Sequence, residues 1–196
     1  MHLVFDIFQG IGIAAAVGMR PFLPALAVGA LAAGDVQINF SHTDYSFLEN
    51  DLFLLLMVIG VVLHALIERR ASREALDSRP VILTLATVSL ALGALFFAGA
   101  LAQGRFTIWP GFVGGVACAA VGILATQPLL SRVRARLDAE TAGALPVFAE
   151  AGAVISAILT VLLPPVGIVV LILLLWLLVA GRGRSEQKYA GLRILR

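Results

Sequence analysis

The sequence predicts an all-α polytopic membrane protein of one domain, with three full transmembrane helices and two proline-broken hydrophobic blocks. Of its 196 residues, 60% are hydrophobic and 13% are charged, and its mean hydropathy is +1.00. Soluble domains average about half apolar and about a quarter charged residues, so a soluble fold of this size cannot bury so much apolar surface. This composition excludes an ordinary cytosolic enzyme, a nucleic-acid-binding domain and a disordered chain.

The chain divides into five hydrophobic blocks when it is read for runs with few charges. A helix needs roughly 20 apolar residues to cross about 30 Å of hydrocarbon. The three middle blocks fit one span each, whereas the two terminal blocks are too long for one span and short for two. The spans are predicted at 52–67, 81–102 and 106–130, and the broken blocks at 3–33 and 146–180.

The positions of the basic residues predict the orientation. All Lys and Arg residues except Arg20 and Arg105 lie in 68–80, in 131–145 or in the tail, 181–196, whereas the loop 34–51 contains four acids and no Lys or Arg. Cytoplasmic loops are enriched in Lys and Arg. The loop 34–51 is therefore predicted outside, and the basic loops and the C-terminus are predicted in the cytoplasm.

This orientation requires the last block to enter from the cytoplasm and return to it. Pro164-Pro165 divides the block, and a residue before proline is disfavoured in helical geometry. The first block has a similar break at Gly18–Pro24. We predict two re-entrant hairpins that enter from opposite faces; for the first block, a single span with an unwound middle is the alternative.

Two stretches resemble a known family. GIGIAAAVGMRPFLP (Gly10–Pro24) and KYAGLRILR (Lys188–Arg196) are similar to the bacterial membrane family called domain of unknown function 4126, as is Arg79-Pro80 before the third block. The resemblance implies a small helical protein of the bacterial inner membrane in which these stretches are signature elements. It implies no reaction and no substrate.

Arg20 is the strongest candidate for a functional residue. An arginine within an apolar block costs about 2.5–3.5 kcal/mol on insertion scales and suggests function. Helix amides that open after a break favour anions, so we predict an anion or phosphate site formed by Gly18, Arg20, Pro21, Phe22 and Leu23. The alternatives are that Arg20 reaches the cytoplasmic interface, or that it pairs with an acid such as Asp6 or Glu150.

The second break is predicted to contribute to the same substrate site. Carbonyl groups freed at Pro164 and Pro165, with the Thr160 hydroxyl before them, are suited to coordinate a cation or line a polar path. The alternative is that such hydroxyls only satisfy the freed backbone groups.

Four titratable residues are predicted to form a proton relay or ion pairs: Asp6, His64, Glu68 and Glu150. His64 and Glu68 share a helix face at spacing i, i+4. For Glu68, an ion pair with the neighbouring Arg69-Arg70 is the alternative. Asp6 and Glu150 fall near predicted helix starts, where acids favour the helix dipole.

Two further local structures follow from the sequence. Pro146 is predicted as a first helical residue. The loop segment NFSHTDYSFLEND is predicted to form an interfacial aromatic belt with Asn50 or Asp51 as a helix cap, and it has no diagnostic metal-ligand spacing.

The fourth block contains small residues spaced four apart, which allow helix backbones to approach closely. They are predicted to pack helices within the chain, and a homodimer seam is the alternative. Cys118 is predicted as a packing residue, and a single cysteine excludes an internal disulfide. The residues are Gly111, Gly114, Gly115, Cys118 and Gly122.

These features together predict a small secondary transporter or channel with an anion-contacting site near Arg20. Lipid-phosphate binding or translocation is one alternative, and a structural or assembly protein without a substrate is another. The sequence has no phosphate-binding glycine loop, zinc-protease helix or nucleophile elbow, so we predict no enzyme activity, metal or cofactor. The predicted partners are the bilayer, anionic lipids at the basic tail and a second copy of the chain.

Overall fold

The structure is a computed structural model that describes residues 3–70, 79–134, 136 and 139–190, without the side chains of residues 79, 134, 139–142 and 182–190. The described chain is helical, which confirms the predicted class. It contains a short 3-10 turn, Ser46–Glu49, and seven α-helices: α1 (Leu3–Met19), α2 (Phe22–Ala33), α3 (Asp51–Arg70), α4 (Arg79–Gln103), α5 (Trp109–Arg134), α6 (Ala139–Leu162) and α7 (Pro165–Ala190).

Four of the described helices are long and apolar enough to cross a membrane. The stretches are Asp51–Arg70, Pro80–Gln103, Trp109–Val133 and Gly143–Leu162. The chain is therefore a multi-pass membrane protein. The first three stretches correspond to the predicted spans, and the fourth begins three residues before the predicted broken block 146–180 and ends at Leu162, before Pro164.

The fourth stretch arises because α6 starts earlier than its proline indicates. Pro146 was predicted to open the helix, but α6 begins at Ala139 and contains Pro146 in its interior. A proline there removes one backbone hydrogen bond. The alanine-rich sequence on both sides of Pro146 has high helix propensity and carries the helix through it.

α1 is the central helix of the bundle. It packs against α2, α4, α5, α6 and α7, and Ile13–Val17 is fully buried. A helix that is apolar on every side is typically a buried one. Its glycines bring neighbouring helices close, since an added Cβ at Gly10, Gly12 or Gly18 would overlap α4, α6 or α5, respectively.

α3 lies at the edge of the bundle. It packs mainly against α2 and the 3-10 turn, and of its 20 residues only His64 is buried. Asn50 caps it, because the Asn50 side chain accepts a hydrogen bond from the Leu52 N–H at 3.1 Å. Asn50 was one of the two predicted caps, and this bond satisfies one of the free amides at the helix start.

The loop between α2 and α3 is part of the core. Ile38, Phe40 and Leu48 are fully buried, and the Phe40 N–H donates to the Glu49 carboxylate at 2.8 Å. The predicted aromatic belt is therefore wrong for Phe40 and for Tyr45, which is also buried; Phe47 is exposed. Burial raises the pKa of the Tyr45 phenol, and the neighbouring Asp44 raises it further.

The small residues of α5 pack within the chain. An added Cβ at Gly111 or Gly115 would meet the α4 backbone, and one at Gly114 would meet the Phe97 ring. One at Gly122 would meet the α1 backbone, and Cys118 is buried in the same contact region. This is the packing role predicted for these residues.

Both predicted helix breaks are present. Arg20 and Pro21 separate α1 from α2, and Leu163 and Pro164 separate α6 from α7.

Asp6, near the start of α1, lies against Gly104, which follows α4. The end of α2 reaches the 3-10 turn near the start of α3, so α1 and α2 run in opposite directions. Pro164, Pro165 and Thr160 belong to the second break, where Gly12 of α1 contacts Thr160 and Gly167.

Candidate functional site

The site is built around Arg20 at the first break. The Arg20 N–H completes α1 by bonding to the Ala16 carbonyl at 3.2 Å. Pro21 has no N–H to continue this pattern, and α2 begins at Phe22. The break therefore fixes Arg20 between two antiparallel helices, with 7% of the residue exposed.

Arg20 is shared between two carboxylates. Its Nη1 donates to Glu68 Oε1 of α3 at 2.7 Å and lies 3.7 Å from Glu150 Oε1 of α6. The side chains of Glu68 and Glu150 are 14% and 23% exposed. Of the predicted interpretations of Arg20, the structure has the pairing with Glu150. It adds a closer pairing with Glu68, for which an ion pair with Arg69-Arg70 was the predicted alternative to a proton relay.

His64 completes the cluster. Its Nε2 lies 2.7 Å from Arg20 Nη1 and 3.6 Å from Glu68 Oε1. A guanidinium has only donors, so His64 Nε2 must accept, and the imidazole is neutral with its proton on Nδ1. The Phe22 ring packs beside His64 with ring centroids 6.0 Å apart. Four residues from three separate parts of the chain thus form one group, called here the Arg20 cluster: Arg20, His64, Glu68 and Glu150.

The charges in the Arg20 cluster do not balance. With ionised carboxylates and a neutral imidazole, one guanidinium faces two carboxylates, which leaves a formal excess of one negative charge. Two buried polar atoms of the cluster, Arg20 Nε and Glu150 Oε2, have no hydrogen-bond partner in the described part of the chain. The cluster therefore offers one further hydrogen-bond donor, Arg20 Nε–H, and one further acceptor, Glu150 Oε2.

A cavity of about 870 Å³ opens beside the cluster, between α3 and the Arg20 ends of α4 and α5. Ligand pockets commonly measure roughly 300–1,000 Å³. Arg20, His64 and Glu68 line this cavity, whereas Glu150 does not. Most of the wall is apolar, including Leu56, Ile59, Leu63 and Ile67 on one face of α3 and Val81, Ile82 and Leu85 on α4.

Some wall residues were not identified from the sequence. Thr84 and Ser89 of α4 and Thr126 and Gln127 of α5 line the cavity. They are polar residues within two hydrophobic blocks that contain no charged residue, and this polarity is the feature by which the sequence could have identified them. Thr84 and Thr126 bond to the carbonyls of Pro80 and Gly122, so their hydroxyls are already partnered within their own helices.

The structure brings together only part of the predicted site. Gly18, Arg20, Pro21 and Phe22 line the cavity with His64 and Glu68, whereas Leu23 does not. Asp6 lies about 20 Å from Arg20 along α1, at ~1.5 Å per residue, and is not part of the cluster. It is buried, and its Oδ2 has no hydrogen-bond partner among the described residues.

The second break lies outside the cavity. Pro164, Pro165 and Thr160 do not line it. The Thr160 hydroxyl donates to the Ser156 carbonyl at 2.8 Å within α6. This is the alternative use of the hydroxyl described above, since the bond stays within the backbone of its own helix.

Among the described residues, no group of three or more His, Cys, Asp or Glu side chains is placed to hold a metal ion. The basic tail, 181–196, is predicted to contact anionic lipids. Its side chains after Gly181 lie outside the described residues. The same holds for the side chain of Arg79.

No family model matches this chain, and no curated protein or solved structure matches it either. The resemblance noted for Gly10–Pro24 and the tail therefore stays a prediction. What the chain does must be argued from the Arg20 cluster and its cavity.

Proposed function

We propose that this chain is a small secondary transporter of the bacterial inner membrane that binds an amphipathic solute in the Arg20 cavity. One observation carries this proposal: a charged cluster around the buried Arg20 forms one end of a large cavity whose walls are mostly apolar. An apolar body fits against α3 and α4 while a polar head reaches the cluster.

The cost of the cluster supports a functional role. A buried ion pair is often no more stabilising than apolar residues of similar volume. Ionisable residues inside a membrane are costly and commonly mark substrate or proton pathways. Helix packing alone would be met by apolar side chains at Arg20, Glu68 and Glu150.

The position of α3 supports entry from the bilayer. α3 packs mainly on α2, so the cavity between α3 and α4 is bounded by a helix with few other contacts. Leu56 and Leu63 line the cavity and are still 53% and 54% exposed. An amphipathic solute that first dissolves in the bilayer reaches the cavity through this side.

The basic residues indicate how the chain is oriented in the membrane. Arg69 and Arg70 end α3 beside the Arg20 cluster, and Arg132 lies at the same end of α5, where its guanidinium donates to the Gly181 carbonyl at 3.4 Å. Cytoplasmic loops are enriched in such residues. We therefore place the Arg20 cavity in the cytoplasmic half of the membrane and the C-terminus in the cytoplasm.

In this topology, the two broken blocks act as hairpins from opposite faces. α1 and α2 form one, α6 and α7 form the other, and they meet where Gly12 contacts Thr160 and Gly167. The 12 residues of α2 span only about 18 Å at ~1.5 Å per residue, which supports a re-entrant helix.

Lipid translocation is a second candidate, and the side opening between α3 and α4 is the observation that favours it. A phospholipid has the same amphipathic chemistry as a single-chain solute but carries two acyl chains. The two candidates separate by the number of chains that the cavity accepts.

The test is binding and then flux of defined amphiphiles. Purified protein in nanodiscs is titrated with octyl-chain compounds that carry a fluorophore at the tail end and a hydroxyl, ammonium or phosphate head. A short-chain fluorescent phospholipid forms the lipid arm. Any compound that binds is then followed across proteoliposome membranes with an imposed pH gradient.

Two threonine variants make this test specific to the cavity. Thr84 and Thr87 are both exposed and bond to the carbonyl four residues earlier, but only Thr84 lines the cavity. Thr84→Trp is expected to remove binding and flux, and Thr87→Trp to retain both. Binding that is absent for every compound, or equal in the two variants, contradicts the proposal.

A further inference from the structure

We propose that the substrate carries a positively charged amine head, which pairs with Glu68. When the amine binds, Arg20 moves its pairing from Glu68 to Glu150. Glu150 releases a proton at this step, so the substrate is exchanged for a proton. This inference rests on the proposed transport function and names the substrate class and the coupling ion. It departs from the anion site that the sequence predicts.

The charge of the Arg20 cluster favours a cation. One guanidinium already faces two carboxylates, with Glu68 at 2.7 Å and Glu150 at 3.7 Å. An added anion would be repelled by both carboxylates and would compete with them for Arg20. Because opposite charges attract strongly where water is scarce, the excess negative charge attracts a cation or a proton.

The geometry gives the two carboxylates different roles. Glu68 of α3 lines the cavity, and Glu150 of α6 does not. A head group entering from the cavity therefore meets Glu68 first. Glu150 does not line the cavity and lies 3.7 Å from Arg20, so it is suited to hold a proton or to pair with Arg20.

Arg20 has a second place to bind. Its Nη1 lies close to both carboxylates, and its Nε and the Glu150 Oε2 are both buried without a partner. A turn of the guanidinium that brings its Nε–Nη2 edge to Glu150 gives a two-point pairing that uses these unpartnered atoms. Two-point arginine–carboxylate pairs are among the strongest charge-assisted contacts, and this turn frees Glu68 for the amine.

The charges balance in each of the two states. In the proton-loaded state, Arg20 pairs with Glu68 and Glu150 carries a proton, so the cluster is neutral. In the substrate-loaded state, the Glu150 proton has left to the solvent, Arg20 pairs with Glu150, and the amine cation pairs with Glu68. The cluster is neutral again, and one proton has been exchanged for one cation.

The charged and titratable groups that face this exchange are few. Arg20 comes from the α1–α2 break, His64 and Glu68 from α3 and Glu150 from α6. The described side chains of α4 and α5 that line the cavity are uncharged. His64 accepts from Arg20 in the first state and becomes available as an acceptor for the amine head when Arg20 moves away.

The experiment compares the ammonium, hydroxyl and phosphate heads on the same octyl chain in nanodiscs, at neutral and mildly acidic pH. At neutral pH, wild type is expected to bind the ammonium compound about tenfold or more tightly than the hydroxyl compound, since hydrogen bonds to charged groups exceed neutral ones. This preference is expected to shrink in acid. Ammonium binding should also release protons into a weakly buffered medium.

Two variants separate the two carboxylates. Glu68→Gln is expected to remove the ammonium preference while hydroxyl binding continues. Glu150→Gln imitates the protonated residue, so its ammonium affinity at neutral pH should fall about tenfold, toward that of wild type in acid, without proton release. Asp51→Asn removes one acid from the opposite end of α3 and is the control that retains wild-type behaviour.

The possible failures are distinct. If the phosphate compound binds more tightly than the hydroxyl compound, or if Glu68→Gln keeps the ammonium preference, the amine assignment is wrong. If ammonium binding releases no proton from wild type, the exchange on Glu150 is wrong. If the hydroxyl compound still binds in a Thr84-dependent way, the transport proposal survives these failures. If no compound binds, the transport proposal fails first.

Discussion

The two helix breaks use the same backbone device with opposite side-chain chemistry. Each occurs at a proline, and each joins two antiparallel helices. At the first break, Arg20 lies beside a cavity and close to carboxyl side chains of α3 and α6. At the second, Gly12, Thr160 and Gly167 bring α1, α6 and α7 into close contact. The comparison teaches that a proline break in a membrane helix is not itself a site; its neighbours decide whether it binds or packs.

The largest expected effect is the loss of Arg20. Arg20→Ala leaves Glu68 and Glu150, whose side chains are 14% and 23% exposed, without their cation. The cost is at most about 3–5 kcal/mol, which is that of breaking a fully buried pair. Thermal unfolding in nanodiscs should show a large fall in the melting temperature. A melting temperature close to wild type would mean that the carboxylates are solvated or protonated, and that the first break is no more charged than the second.

Neutralising the whole cluster sharpens this prediction. The triple variant Arg20→Met, Glu68→Leu, Glu150→Leu removes all three charges together and replaces them with apolar side chains, so no unpaired ion remains. Its stability is expected to return to wild type or exceed it, because apolar replacements of buried ion pairs are often neutral or stabilising. Binding of the ammonium compound should be lost, because Glu68 no longer carries a charge. Recovered stability without binding assigns the cluster to function, whereas a stability as low as that of Arg20→Ala assigns it to folding.

The membrane class and both breaks could be predicted from the sequence because composition and proline geometry act locally. The early start of the fourth long helix could not be predicted, because Pro146 indicates a helix start while the residues on both sides of it have high helix propensity. His64 and Glu68 share a helix face by their spacing, but their meeting with Arg20 and Glu150 depends on how three separate elements pack. The separation of Thr160 from Arg20 is likewise a result of packing, and no spacing in the sequence encodes it.

The second break is tested through its glycines. A Cβ at Gly167 would overlap the Phe8 carbonyl and approach the Gly12 backbone, where no flexible side chain can yield. Gly167→Ala is expected to destabilise by about 1–3 kcal/mol through overpacking. The control is Gly152→Ala in α6, where an added Cβ meets nothing within 4 Å, and which should gain up to about 1 kcal/mol of helix propensity. Thermal unfolding of the two variants measures both.

The smallest expected effect belongs to the Thr160 hydroxyl, and it decides the comparison most directly. Thr160→Val keeps the branched shape and removes only a hydroxyl that bonds to the Ser156 carbonyl within α6. Bonds of this kind compete with the backbone hydrogen bonds of the helix and add little stability. The free energy of unfolding should therefore change by less than about 1 kcal/mol, which gives a small shift in melting temperature. Binding and flux of the amphiphiles should be unchanged. If flux falls while folding is intact, the hydroxyl belongs to the transport path, and the two breaks form one site, as the sequence predicts.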